Sequence, residues 1–175
     1  IRALVNCVSK GGNLLLNISP DARGHINGQT RNILSEVGEW LGKNGESIYN
    51  CSIANFPKPE WGRFTQKGKF LYAHIFEQVI GHINMPGMRG KIKNGKLLAT
   101  GAEAILCDYW NPGIQTFDSP NDIFFNIGKP TQLTFPIPDK NDTVIRFELT
   151  DKNEEKRILQ KLKENLQNAT RKIPF

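Results

Sequence analysis

Leu14, Leu15 and Leu16 stand in a row inside the run KGGNLLLNISP, Lys10–Pro20. Three consecutive leucines without polar alternation read as a strand buried on both faces, Asn13–Ile18. Such a strand sits in the middle of a parallel sheet and needs neighbours on either side. The residues before it supply none. Ile1–Val8 places Ala3, Leu4, Cys7 and Val8 on one face and reads as the end of a helix, stopped by Gly11-Gly12. After the leucines come a turn-rich loop, PDARGHINGQ, and the clearest helix of the chain, about Thr30–Lys43. Ile33, Leu34, Val37, Trp40 and Leu41 recur there at three- and four-residue intervals, with Trp40 a core residue and Asn44-Gly45 as the cap. One strand and one helix make a single βα unit, which is not a domain but a piece of a larger α/β fold.

Beyond Tyr49 the texture changes. KPEWGRFTQKG reads as a proline-bearing turn feeding an alternating strand, KFLYAHIFEQ. In that strand Phe70, Tyr72, His74 and Phe76 share one face, and Leu71, Ala73 and Ile75 the other. Short strands are expected next at about His82–Asn84, Lys91–Lys93, Lys96–Ala99, Ala104–Leu106, Gln115–Asp118, Ile123–Ile127, Leu133–Phe135 and Val144–Leu149. The spacing is that of an antiparallel β-sandwich or barrel, and Asn94-Gly95 reads as a hairpin turn between two of the strands. Residues 151–175 differ again. Leu159, Leu162 and Leu166 form one stripe among charges, which predicts an amphipathic helix over 154–170, docked or self-associating, or else a solvated tail.

Composition narrows the function classes. The 175 residues carry a net charge of +6, yet no Lys/Arg cluster is interleaved with aromatics as on a nucleic-acid platform, so no nucleic-acid partner is expected. No apolar run approaches the ~20 residues of a membrane span, and no membrane partner is expected either. Cys7, Cys51 and Cys107 are widely spaced, and His25, His74 and His82 form no ligand pair at helical or hairpin spacing. Neither a metal nor a cofactor is implied. Asn50-Cys51-Ser52, Asn141-Asp142-Thr143 and Asn168-Ala169-Thr170 are N-glycosylation acceptors if the chain enters a secretory pathway.

The run VSKGGNLLLNISPDARGHI, followed by GEWLGKNGESIY, resembles the end of the catalytic barrel of the alpha-L-fucosidases, glycoside hydrolase family twenty-nine. The family's Pro-x-Ala-x-Gly-x-Ile loop is matched by Pro20, Ala22, Gly24 and Ile26, and its WLxxNGEAIY segment by Trp40, Leu41, Asn44, Gly45, Glu46, Ile48 and Tyr49. WGRFTQKGKFLYAHI and NMPGMRGKIKNGKLLATGAEA resemble parts of its C-terminal β-sandwich. The resemblance covers about Val8–Leu149. Ser19 departs from it, where the family usually has Gly, and Ser47 stands where Ala is common.

The resemblance implies a mainly β fold: an antiparallel β-sandwich (51–150) preceded by the last βα unit of a (β/α)8 barrel (1–50), with a C-terminal amphipathic helix in a charged tail (151–175). The missing neighbours of the leucine strand would then be the other barrel strands. It implies a retaining exo-hydrolase that removes terminal fucose, in a secreted, periplasmic or lysosomal setting. Retention needs two carboxyls about 5–5.5 Å apart. In the family both lie upstream of the matched segments, so no catalytic residue is assigned in this chain, and the chain alone is expected to be inactive. Active sites of barrels are built from loops at one end of the strands, which makes Asp21, Arg23 and His25 weak substrate-binding candidates. Glu36 and Glu39 fall on the polar face of the helix, Glu46 is expected to hydrogen-bond locally, and Glu103 sits in a turn. Trp61, Trp110, Tyr72 and Tyr109 carry two readings, sugar-stacking platform or packing. The partners implied are a fucosylated glycan and the catalytic barrel, with self-association through strand 13–18 or helix 154–170 as a further outcome. The competing function is a non-catalytic carbohydrate-binding β-sandwich module.

Overall fold

The computed structural model describes residues 1–110, 120–128 and 136–170. The expected strands at Gln115–Asp118 and Leu133–Phe135 lie outside the described residues. The described chain is mainly antiparallel β with a C-terminal helix. It divides into two units. The first comprises Ile1–Gln78, Lys96–Ala102 and Pro136–Arg146, and the second the described parts of Val79–Gly95, Glu103–Phe135 and Phe147–Phe175.

In the first unit, helix α1 (Arg2–Val8) ends where Gly12 N–H reaches back to the Cys7 carbonyl at 2.9 Å. Helix α2 (Gly28–Asn44) starts at Asn27, whose side chain accepts the Thr30 N–H at 2.8 Å. The expected stop at Asn44-Gly45 is not a left-handed cap. Gly45 is right-handed, and the chain tightens into a 3₁₀ turn, Gly45–Ser47. A side chain at Gly45 would meet the Tyr49 ring, at 2.8 Å from its Cε2, so glycine serves close packing there.

Strand β1 (Ser52–Ile53) pairs with β2 (Gly62–Lys67), and β2 with β3 (Phe70–Ile75), all antiparallel. Part of the stretch read as a turn is therefore a strand: GRFTQK forms β2, and the turn is only Gly68-Lys69. The reason is the close partner. Gly62 lies opposite Ile75, and a Cβ there would overlap the His74 carbonyl, so the Trp-Gly pair is an intimate strand start. Every residue from Leu71 to Ile75 is fully buried. On the Tyr72 face the core joins Val5 and Val8 of α1, Trp40 of α2, Ile48 and Val144. Each large side chain so buried contributes roughly 1.5–3 kcal/mol.

The leucine run departs most from expectation. Residues 13–18 form no strand, and Leu14, Leu15, Leu16 and Ile18 are 38%, 86%, 59% and 42% exposed. A strand exists only through hydrogen bonds to a neighbouring strand. An apolar sequence supplies the side chains for burial but not the partner.

In the second unit, β6 (Glu103–Cys107) pairs with β7 (Ile123–Asn126), and β7 with β4 (Ile83–Met85). Strands β5 (Ile92–Leu97) and β8 (Thr143–Leu149) each begin in one unit and end in the other. The expected hairpin at Asn94-Gly95 is absent, because β5 runs straight through it. A side chain at Gly95 would collide with the Phe147 ring, which stacks edge-on against Phe125 at 5.1 Å. The glycine makes room for an aromatic ring, and the reversal comes later, at Gly101 (φ 74), where Leu97 N–H bonds the Ala102 carbonyl at 2.7 Å. Helix α3 (Lys152–Thr170) opens with a capping box: Asp151 Oδ1 accepts from Asn153 and Glu154 N–H at 2.8 Å, and Glu154 Oε2 accepts the Asp151 N–H at 3.1 Å. Leu159 lies against Gly90, which docks the helix on its own unit.

Gly62→Ala should lower stability by about 3 kcal/mol, at the upper end of overpacking, because backbone rather than a movable side chain stands in the way. Gly38→Ala, in α2 with open space around it, should raise stability by about 0.5–1 kcal/mol. Urea unfolding of the two variants beside the parent chain reads both.

Candidate functional site

The most organised polar constellation lies inside the first unit. Arg63 faces His74 across the β2–β3 ladder, so Thr65, two residues along β2, lies diagonal to His74 on the same face. Thr65 Oγ1 stands 3.1 Å from His74 Nε2, and His74 Nδ1 stands 2.7 Å from Asp142 Oδ2. The order acid–imidazole–hydroxyl is that of a nucleophilic triad. Burial rules out that use. Thr65, His74 and Asp142 are all 0% exposed, and a nucleophile must meet substrate. The hydroxyl is also engaged elsewhere, since Thr65 Oγ1 donates to the Ser47 carbonyl at 2.7 Å.

Proton counting fixes the charge of this pair. The Ser47 carbonyl can only accept, so the single Thr65 hydroxyl proton goes there. Thr65 Oγ1 must then accept from His74 Nε2–H. The remaining contact holds one proton between His74 Nδ1 and Asp142 Oδ2. The pair is therefore neutral overall, as imidazolium with carboxylate or as imidazole with carboxylic acid. Burial pushes the Asp142 pKa above its ordinary 3.8, with His74 opposing that rise. A carboxyl whose pKa is higher folded than unfolded lowers stability as pH climbs from 3.8 through its folded pKa.

Asp142 also ties in α2, because its backbone carbonyl accepts the Trp40 Nε1–H at 3.1 Å. Asn44 Nδ2 reaches the Trp40 carbonyl at 3.3 Å. Asn44 and Asp142 line a cavity of about 230 Å³ with Lys43, Thr100, Asp139 and Thr143, and Asn44 Oδ1 and Asp142 Oδ1 have no protein partner. Leu97, Ala99, Pro138 and Val144 complete its lining, and it is large enough to hold water that would donate to both oxygens.

The expected site residues gather in a different place. Asp21 Oδ1 accepts Arg23 and His25 N–H at 2.8 Å each, and Asp21 Oδ2 lies 3.6 Å from His25 Nδ1. The three residues do come together, but as a self-bonded loop whose side chains face solvent. Glu36, Glu39 and Glu103 are exposed as well. Glu46 does not bond locally. It accepts from the Tyr72 hydroxyl at 2.8 Å and from Arg146 at 3.2 Å. Burial would raise the Glu46 pKa, but the Tyr72 hydroxyl and the Arg146 guanidinium prevail and lower it below 4.5. Trp61 and Tyr72 are buried packing residues, Tyr109 is half-buried, and Trp110 is 39% exposed.

In the second unit Cys107 Sγ stands 2.9 Å from His82 Nδ1. Burial, with Asp108 beside it, pushes the Cys107 thiol up to about 11. At neutral pH it is a protonated thiol, not a nucleophile. Among the described residues no group of three or more His, Cys, Asp or Glu could hold a metal ion. No helix among them is long and apolar enough to cross a membrane. The His74–Asp142 and His82–Cys107 contacts join residues 68 and 25 positions apart and have no sequence signature.

Residues 1–46 match the family model described as Alpha-L-fucosidase. The chain is similar to an alpha-L-fucosidase of Dictyostelium discoideum, 39% identical over 77 residues, and to the plasma alpha-L-fucosidase of Homo sapiens, 47% identical over 78. Each of these matches covers 42% of this chain and 17% of the relative. Among solved structures it is similar to alpha-L-fucosidase isoenzyme 1 from Paenibacillus thiaminolyticus, with a TM-score of 0.77 and 46% identity, covering 86% of this chain and 34% of that one. An alpha-fucosidase of Thermotoga maritima in complex with a mechanism-based inhibitor has a TM-score of 0.63 and 26% identity, over 83% of this chain and 32% of that one. The chain thus spans about a third of the length of these structures and about a sixth of the curated relatives.

Replacing Asp142 by Asn leaves the buried His74 without its counter-charge or shared proton and should cost about 3 kcal/mol, as when one partner of a buried pair is removed. The gap to the parent chain should narrow as pH is raised from 4, because only the parent loses the Asp142 contribution. Denaturant melts between pH 4 and 8 measure both effects.

Proposed function

We propose that this chain, related in sequence and fold to a part of the alpha-L-fucosidases, is a C-terminal region of a retaining, exo-acting alpha-L-fucosidase that removes terminal fucose from glycans. Residues 1–50 would contribute the last strand and helix of the catalytic (β/α)8 barrel, 51–150 a β-sandwich beside it, and 151–175 a helical tail.

One observation carries this reading. Leu14, Leu15, Leu16 and Ile18 lie in solvent within the very stretch that the fucosidase family model matches. Each large apolar side chain left in water forgoes roughly 1.5–3 kcal/mol. Other barrel strands on both sides would bury these side chains and supply the ladder partners that residues 13–18 lack. In the barrel, the self-bonded loop of Asp21, Arg23 and His25 would follow that strand at the rim of the sugar site. The nucleophile and the acid/base belong to the remainder of the barrel, so this chain brings no group that attacks or protonates the glycosidic bond. Its partners would be that barrel and, through it, a fucosylated glycan. With the leucines uncovered, self-association through 13–18 is the expected behaviour of the isolated chain, and the α3 stripe offers a second contact.

The exposed Trp110 favours a second reading, a non-catalytic carbohydrate-binding module. Its indole Nε1–H donates to the Ile80 carbonyl at 3.0 Å, which fixes the ring at the surface. Calorimetry against fucose and fucosylated oligosaccharides decides it: heat of binding from the chain alone favours the module.

Purified chain should release no nitrophenol from 4-nitrophenyl α-L-fucoside above the buffer rate, and turnover at enzyme-like rates would overturn the proposal. A chimera carrying the upstream barrel of the Paenibacillus enzyme should regain hydrolysis. Leu15→Ser should change the isolated chain by less than about 0.5 kcal/mol. In the chimera the same change should cost about 2–5 kcal/mol, read as a drop in melting temperature and in soluble activity.

A further inference from the structure

We propose that Asn50 is an N-glycan acceptor when this chain passes through a secretory pathway that contains an oligosaccharyl transferase. The inference rests on the geometry of residues 50–52 and is independent of the hydrolase reading.

The acceptor sequence is Asn50-Cys51-Ser52. It lies between the 3₁₀ turn and β1, where the chain reverses. Asn50 has φ 59, the only described non-glycine residue with positive φ. Asparagine is among the few side chains that tolerate this conformation, which accounts for an Asn or Gly at the position but not for the hydroxyl residue two places on. The Asn50 side chain is exposed and makes no hydrogen bond to the described residues, so no partner among them competes for its amide nitrogen. Ser52 is exposed too, and its hydroxyl makes only a long 3.3 Å bond to the Gln66 carbonyl. Half-buried Cys51 between them is anchored by its backbone N–H to the Ile48 carbonyl at 3.3 Å and by its thiol to the Glu46 carbonyl at 3.4 Å. The middle residue thus fixes the turn, while its two neighbours project outward.

A second acceptor sequence contrasts with this one. In Asn141-Asp142-Thr143 the middle residue is 0% exposed, and the Thr143 hydroxyl is 3.0 Å from the Asp139 carbonyl it donates to. The Asn141 carbonyl is held by Arg2. A glycan there would sit on the loop that carries the buried His74–Asp142 pair. At Asn50 it would extend from a turn whose side chain takes no part in the core.

The step balances with a polyprenyl-diphosphate-linked oligosaccharide as donor. Asn50 Nδ2 attacks the anomeric carbon of the first sugar, the bond from that carbon to the diphosphate oxygen breaks, and the polyprenyl diphosphate leaves. The amide loses one proton to the medium, and no oxidation occurs.

The test expresses the chain behind a cleavable secretion signal in mammalian cells. Secreted and cell-retained pools are both digested with peptide N-glycosidase in ¹⁸O-water, and the peptide containing residue 50 is weighed. Asn50 should appear as ¹⁸O-labelled Asp in most molecules of at least one pool. Asn50→Gly keeps the positive φ and should lose the label while folding normally. Ser52→Ala should lose it with Asn50 still present, and Ser52→Thr should raise it. Unlabelled Asn50 in both pools of the parent chain would overturn the proposal, as would a label that survives Ser52→Ala.

Discussion

Asp142 is the residue on which the first unit depends. Its backbone carbonyl takes the indole proton of Trp40, 102 positions away, and its carboxyl holds His74, 68 positions away. A helix, a hairpin and the start of β8 are thereby joined at one point, all of it out of water. Hydrogen bonds of this kind add little net stability one by one, but leaving any of them unmade in the interior is costly. The arrangement is therefore tightly specified. His74 must keep both ring nitrogens engaged, Thr65 must give its proton to Ser47, and Asp142 must share the last proton.

The contrast with the leucine run is the most informative feature of the molecule. A buried, hydrogen-bonded polar chain and an exposed run of leucines lie in the same unit. Ordinary folding gives the reverse, with charges outside and leucines inside. The buried polar groups are tolerable because nearly all of them are paired. In the proposed reading the exposed leucines are one half of an interface with the other barrel strands. An acid–imidazole–hydroxyl line at hydrogen-bonding distances is thus no guide to activity here. Access to solvent decides, and it separates a structural relay from a catalytic one.

Local signals in the sequence served where one interaction range controlled the outcome. The α2 helix, the Trp40 core position, the β3 strand and the α3 helix were all legible, because side-chain spacing along an element marks the face that can be buried; of the α2 stripe, Trp40 is buried while Ile33 is 53% exposed. The glycine signals were misleading at Gly45, Gly62 and Gly95. In each case the missing Cβ serves a distant or neighbouring group that approaches closely (Tyr49, the His74 carbonyl, Phe147), where the local pattern suggested a cap or a turn. Asp21, Arg23 and His25 were legible as one loop, but the first of them spends its carboxylate on the backbone of the other two.

The sequence by itself determined the resemblance to the alpha-L-fucosidases, because GGNLLLNI and NGE-x-IY are runs of adjacent residues whose order survives without any fold. It also determined that the leucines seek burial, since that preference belongs to the side chain. Whether they find it belonged to the tertiary structure alone. Burial and strand pairing require a second surface, and residues 13–18 have none within the described chain. The neutral His74–Asp142 pair was likewise decided only in three dimensions, because its proton balance depends on groups brought together from four separate stretches of the chain.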